Sequence, residues 1–62
     1  MINAIYKTKD KFNNTWRIIQ KSVIFEIQVC NENQKHYELF ALNRDLNEAK
    51  IFIAQTISLQ KI

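Results

Sequence analysis

Few side chains in this sequence are equipped for chemistry. There is one cysteine, Cys30, and one histidine, His36. They flank a polar stretch, Asn31-Glu32-Asn33-Gln34, that reads as a hairpin turn, so folding could bring them together. A Cys–His nucleophile pair also needs an oxyanion hole and an orienting group, and neither can be picked out here. The reading is an end-of-strand cysteine and an exposed histidine. His36 and Glu38 share a strand parity and could reach one metal ion, but a zinc site uses at least three protein groups. Glu26, Glu32 and Glu38 would need a cleft to act as paired acid and base, and a short chain without glycine loops offers little concavity. The expectation is a protein that is not an enzyme, with no catalytic residue, no metal and no cofactor.

Glycine and proline are both absent from the 62 residues. Without glycine there is no P-loop, no dinucleotide-binding fingerprint and no nucleophile elbow of the usual form. Turns must then be made by Asn, Asp, Lys and Gln, of which Asn tolerates the left-handed backbone region best.

Charge is the next chemical signal. The net charge is +3, with nine basic and six acidic residues. Residues 1–21 hold Lys7, Lys9, Lys11, Arg17 and Lys21 against Asp10 alone, whereas the remainder is slightly acidic. Tyr6, Phe12 and Trp16 are interleaved with these cations. That combination fits a nucleic-acid surface. It also fits a solvated strand whose lysines keep a sheet edge from aggregating. Trp16 and Arg17 are neighbours on a predicted strand and so point to opposite faces, which gives a core Trp and an exposed Arg.

The elements that would position these groups follow from periodicity. Ile2 to Thr8 alternates loosely and reads as a strand. Asn13-Asn14 marks a turn. Thr15 to Cys30 is rich in β-branched and aromatic residues. Val23, Phe25, Ile27 and Val29 fall on one face, whereas Trp16 and Ile18 have the other parity. The segment must therefore bulge or break near Gln20 to Ser22. Lys35 to Leu42 reads as a further strand, with Tyr37, Leu39 and Ala41 on one face and Phe40 and Leu42 on the other. Asp45 with Glu48 approximates a capping box, Asn43 being the alternative cap. The stripe Leu46, Ala49, Phe52/Ile53, Ile57 then predicts a helix of about 12 to 16 residues. A weaker alternation of Ile51, Ile53, Ile57 and Leu59 leaves open a strand at the end of this segment. The expected architecture is a single α+β domain over residues 1–62. It is a small antiparallel three- to four-stranded β-meander with one C-terminal α-helix packed on the sheet.

A chain of this length has a marginal core. Its helix leaves Ile51, Ala54 and Leu59 off the main stripe, which points to a partner surface and to a homodimer or an obligate complex. Ile, Lys and Asn, whose codons are AT-rich, supply 24 residues, which suggests a phage, a plasmid or a low-GC bacterium. The lone cysteine and the missing apolar leader and spanning segment suggest a cytoplasmic protein off the membrane. Asn13-Asn14-Thr15 matches a glycosylation sequon and reads as chance in that setting.

In size, composition and lack of a catalytic set, the chain resembles the small single-domain proteins that phages use against host defence, anti-CRISPR proteins among them. That resemblance implies a non-catalytic inhibitor that occupies the surface of a host protein or protein–nucleic-acid complex. Ile51, Ala54 and Leu59, or the basic first third, would make the contact. In element order, with Trp16-Arg17 on a strand, the chain also resembles the sheet-type DNA-binding domains of phage integrases and AP2-type factors. This implies phosphate contacts from Lys7, Lys9, Lys11, Arg17 and Lys21. Those domains carry Gly-rich turns, which this chain lacks. A plain structural subunit of a larger assembly fits the same features as the inhibitor reading.

Overall fold

The β-branched run between Thr15 and Cys30 folds as two paired strands rather than one bulged strand. In the computed structural model, which describes residues 3–60, the order is β1 (Tyr6–Lys9), β2 (Asn14–Lys21), β3 (Ile24–Asn31), β4 (Glu38–Asn43) and α1 (Leu46–Ser58). The strands form one antiparallel sheet in sequence order, a meander. Ser22 and Val23 make a two-residue hairpin between Lys21 and Ile24, which pair. Across such a hairpin even positions meet odd ones, as in Trp16 with Val29 and Ile18 with Ile27. The change of parity seen in the sequence is this reversal of the chain.

The turn corrects one expectation about the core. Val23 sits at the hairpin tip and is 75% exposed, whereas Phe25, Ile27 and Val29 do join the core face. The turn residue is also unexpected. Ser22 takes φ 56°, as a glycine-free two-residue hairpin requires at its first position. The β1–β2 turn uses Asn13 at φ 64°, in line with the tolerance of Asn for that region. The first strand starts later than Ile2 to Thr8 suggested. Ala4 precedes it and Ile2 lies outside the described residues.

In β4 the expected faces are rearranged by a bulge. Ala41 pairs with Ile27 and Leu39 with Gln28, so Phe40 is the extra residue opposite a single step of β3. A bulge re-aims side chains on one strand. Ala41 faces the core, and Phe40 turns to the same side, with its ring 4.8 Å from that of Trp16. Leu39 and Leu42 are left 58% and 55% exposed.

The helix begins where Asp45 caps it, its Oδ1 accepting from the Glu48 N–H at 2.9 Å. Asn43, the alternative cap, instead accepts from the Asp45 N–H through its Oδ1. The helix runs 13 residues and packs on β3 and β4. The helical reading of this segment holds through Ser58. Ala49 and Ile53 are fully buried against the sheet. With Trp16, Ile18 and Ile27 they form the core, flanked by Tyr6, Phe25, Val29, Ala41, Leu46 and Ile57. The opposite face of the sheet carries no helix among the described residues, and none of their helices is long and apolar enough to cross a membrane.

Candidate interaction surfaces

Phe40 and Phe52 form an aromatic seam between β4 and α1. Their centroids lie 5.9 Å apart with the planes tilted 52°, and Phe40 meets Trp16 edge to face at 78°. Such geometries let the positive ring edge meet the negative ring face. Trp16 is buried, but Phe40 and Phe52 remain 47% and 37% exposed. The seam was not legible beforehand. Simple alternation put Phe40 on the far face, and the helical stripe put Phe52 in the core. Only the two aromatics in a strand with apolar residues on both faces hinted at an irregularity.

The three helix residues singled out from the sequence are all exposed. Ile51 is 54% and Leu59 79% exposed, and Ala54 faces solvent as well. Ile51 and Ala54 are on the outward side of α1. Leu59 is its C-cap, its N–H donating to the Gln55 carbonyl, and the following N–H, of Gln60, donates to the Ile57 carbonyl. They do not make one compact patch.

The uncovered sheet face is built by strand alternation. With Tyr6, Trp16 and Ile18 turned to the helix, Lys7 and Lys9 of β1 and Arg17, Ile19 and Lys21 of β2 point the other way. Glu26 and Gln28 of β3 share that side. Four of the five basic residues of the first third thus lie on one face, with Lys7 directly opposite Arg17. Lys11 is apart from them, in the β1–β2 turn. Arg17 Nε donates to Gln28 Oε1 at 2.8 Å, and its guanidinium lies 3.5 Å from the centre of the Tyr37 ring. Gln28 in turn donates to Glu26, which pairs with Lys21 at 3.4 Å.

The carboxylate of Asp10 organises the end of the sheet. In the sequence Asp10 stands out only as a charge, yet it is the buried acidic residue among the described residues. Its Oδ1 accepts from the Phe12 and Asn14 N–H groups, and its Oδ2 from Asn14 Nδ2, Trp16 Nε1 and Gln60 Nε2, each at 2.9 Å. Burial alone would raise its pKa. The hydrogen bonds from Trp16, Gln60 and Asn14 outweigh that and hold the carboxyl well below the usual carboxylate range. Five donors fill its two oxygens, which leaves no lone pair for a substrate proton. Asp10 therefore holds the turn, the core Trp and the chain after the helix together. The signal for it was an Asp at the start of a turn, since Asp commonly accepts from backbone N–H groups two residues on.

That network continues across the sheet. Asn14 Oδ1 accepts from Asn31 Nδ2 at 2.8 Å, and Asn31 accepts from the Asn33 N–H while its own N–H donates to Gln34 Oε1. Side-chain amides thus build the turn after β3 in place of glycine. Gln60 Oε1 is buried and meets no donor among the described residues.

The Cys30 thiol donates to the carbonyls of Asn31 and Gln34, and no hydrogen bond joins it to His36 among the described residues. His36 is exposed and precedes β4, which begins at Glu38, so the strand face that His36 and Glu38 were expected to share is not formed. No group of three or more His, Cys, Asp or Glu side chains placed to hold a metal occurs among the described residues. Compared with protein families, curated proteins and solved structures, the chain matches none.

Proposed function

We propose that the chain is a non-catalytic protein-binding module, a small inhibitor or adaptor of phage or mobile-element type. It acts in the host cytoplasm by covering the surface of a host complex, and it self-associates as a homodimer. The observation that supports this reading is the surplus of apolar surface. Six apolar side chains are buried among the described residues, whereas nine large ones are exposed. What marks an interaction site is exposed apolar surface that is contiguous, as where Phe40 and Phe52 meet. The Phe40–Phe52 seam is the best anchor among them. Aromatic rings bring large contact area with few rotatable bonds, which is why they dominate binding hot spots. Ile51 and Leu59 are further exposed apolar residues of the same helix.

The test is a photo-crosslinking residue placed at position 52 in the producing cell, with position 20 as the control on an exposed strand end. A discrete adduct at position 52 alone, either with a second copy or with one host protein, is the expected result. Absence of any adduct at 52, or equal labelling at 20, removes the reading.

A further inference from the structure

We propose that the uncovered face of the sheet binds the phosphate backbone of duplex DNA without reading its sequence. This goes beyond the protein-binding reading and uses the side of the molecule away from the Phe40–Phe52 seam.

Strand positions on this face carry Lys7, Lys9, Arg17 and Lys21 against one acidic residue, Glu26. Their net charge of +3 equals that of the whole chain, so the remaining charges cancel. The field of the molecule is concentrated on one side rather than spread over its surface. From the level of Lys9, paired with Thr15, to Lys21 the cations extend about 20 Å along β1 and β2. Arg44 stands near the Lys21 end, in a hollow lined with Ile24, Leu42 and Asn43.

Arg17 is presented as a fixed fork. Gln28 holds Nε, and the guanidinium plane rests on Tyr37. Its two terminal nitrogens have no hydrogen-bond or ion-pair partner among the described residues. A held guanidinium with free terminal N–H groups matches a phosphate bidentately and loses little freedom on doing so. Lys7 and Lys9 are exposed and have no ion-pair partner among the described residues, and Lys21 stays 62% exposed despite Glu26.

The choice of a duplex follows from what the face lacks. Single strands are gripped by exposed aromatic platforms on which bases stack. The aromatic ring at this face, Tyr37, is already covered by Arg17. On β1 and β2 the face offers one held guanidinium and three exposed lysines without free aromatic platforms, with Leu39 and Leu42 exposed on β4 beyond them, and such a cationic strip suits the backbone of a stiff, densely charged rod.

The experiment is fluorescence anisotropy with a labelled 20-base-pair duplex of arbitrary sequence, repeated with the matching single strand and with polyglutamate as competitor. With about four phosphate contacts, affinity should fall roughly 150-fold between 50 and 200 mM salt. The double variant Lys7→Ala/Lys9→Ala should reduce that to roughly 12-fold. The charge-matched control Lys35→Ala/Lys50→Ala should keep the original dependence, with folding checked by circular dichroism. Should the first variant fail to fold, Lys21→Ala alone should lower the salt slope by about one. Four outcomes overturn the proposal: no binding at 50 mM salt, an equal loss in both double variants, tighter binding to the single strand, or equal competition by polyglutamate.

Discussion

Trp16 donates its indole Nε1–H to Asp10 Oδ2 at 2.9 Å, so the largest core side chain is tied to the buried carboxylate. Asp10 starts the β1–β2 turn, and Gln60, which donates to the same oxygen, follows the helix. One hydrogen-bonded group thereby joins the first turn, the core and the end of α1. Asp10→Ala would leave the Trp16 N–H buried without an acceptor, and the expected loss is about 3 kcal/mol. A domain of this size has roughly 3–9 kcal/mol in all. Urea unfolding followed by Trp16 fluorescence measures it. A loss below 0.5 kcal/mol would show that the contact is incidental. Trp16→Phe removes the donor and keeps a ring, so the two variants should be strongly non-additive.

The same carboxylate sets an acid limb. Burial would raise the Asp10 pKa, but its hydrogen bonds hold it below the ordinary value near 3.8. A carboxyl lowered on folding contributes stability that is fully present above its unfolded pKa and is lost as pH falls toward its folded pKa. Unfolding midpoints should therefore be flat with respect to Asp10 above about pH 5 and drop progressively below about pH 4. In Asp10→Asn the drop should be shallower, so that the two proteins converge in acid. Parallel curves for both down to pH 2 would assign the acid sensitivity to other groups.

Much of the fold was readable because it depends on local signals. The helix follows from Asp45, Glu48 and the spacing of Leu46, Ala49, Ile53 and Ile57, and each of these acts within two turns. An interruption near Gln20 to Ser22 is visible as a change of parity between Ile18 and Ile27, but parity alone fits a bulge as well as the hairpin that forms. What stayed hidden depends on non-local geometry. The bulge at Phe40 is a property of the register between β3 and β4, and a list of apolar positions cannot encode it. The role of Asp10 needs Gln60, which is 50 residues away. The gathering of Lys7, Lys9, Arg17 and Lys21 on one face was implicit in their odd numbers, but only within each strand. The pairing of Lys7 with Arg17 joins the two strands.

Two turn residues of positive φ should respond differently to glycine. Ser22 pays a steric penalty of about 1–2 kcal/mol for the left-handed region, whereas Asn13 tolerates it. Glycine removes that penalty but costs roughly 0.5–1 kcal/mol of chain entropy. Ser22→Gly should raise stability by about 0.5–1 kcal/mol, equivalent to several degrees in Tm. Asn13→Gly should change little. Calorimetry on both variants checks this, and a destabilised Ser22→Gly would mean that the hairpin conformation is not the one described.

The bulge makes a sharper prediction, because it separates neighbours that strict alternation would treat alike. Phe40 and Leu39 are similarly exposed, at 47% and 58%. Phe40 nevertheless packs edge to face on Trp16 and against Phe52, whereas Leu39 lies on the uncovered face. An aromatic pair contributes about 0.5–1.5 kcal/mol beyond area burial, and Phe40 takes part in two. Phe40→Ala should therefore cost about 2 kcal/mol and shift Trp16 fluorescence as the indole is opened to water. Leu39→Ala, a surface change by comparison, should stay within about 0.5 kcal/mol and leave the spectrum unaltered. If β4 instead alternated without a bulge, Leu39 would face the helix and Phe40 the open side. The two variants would then exchange their effects on both readouts.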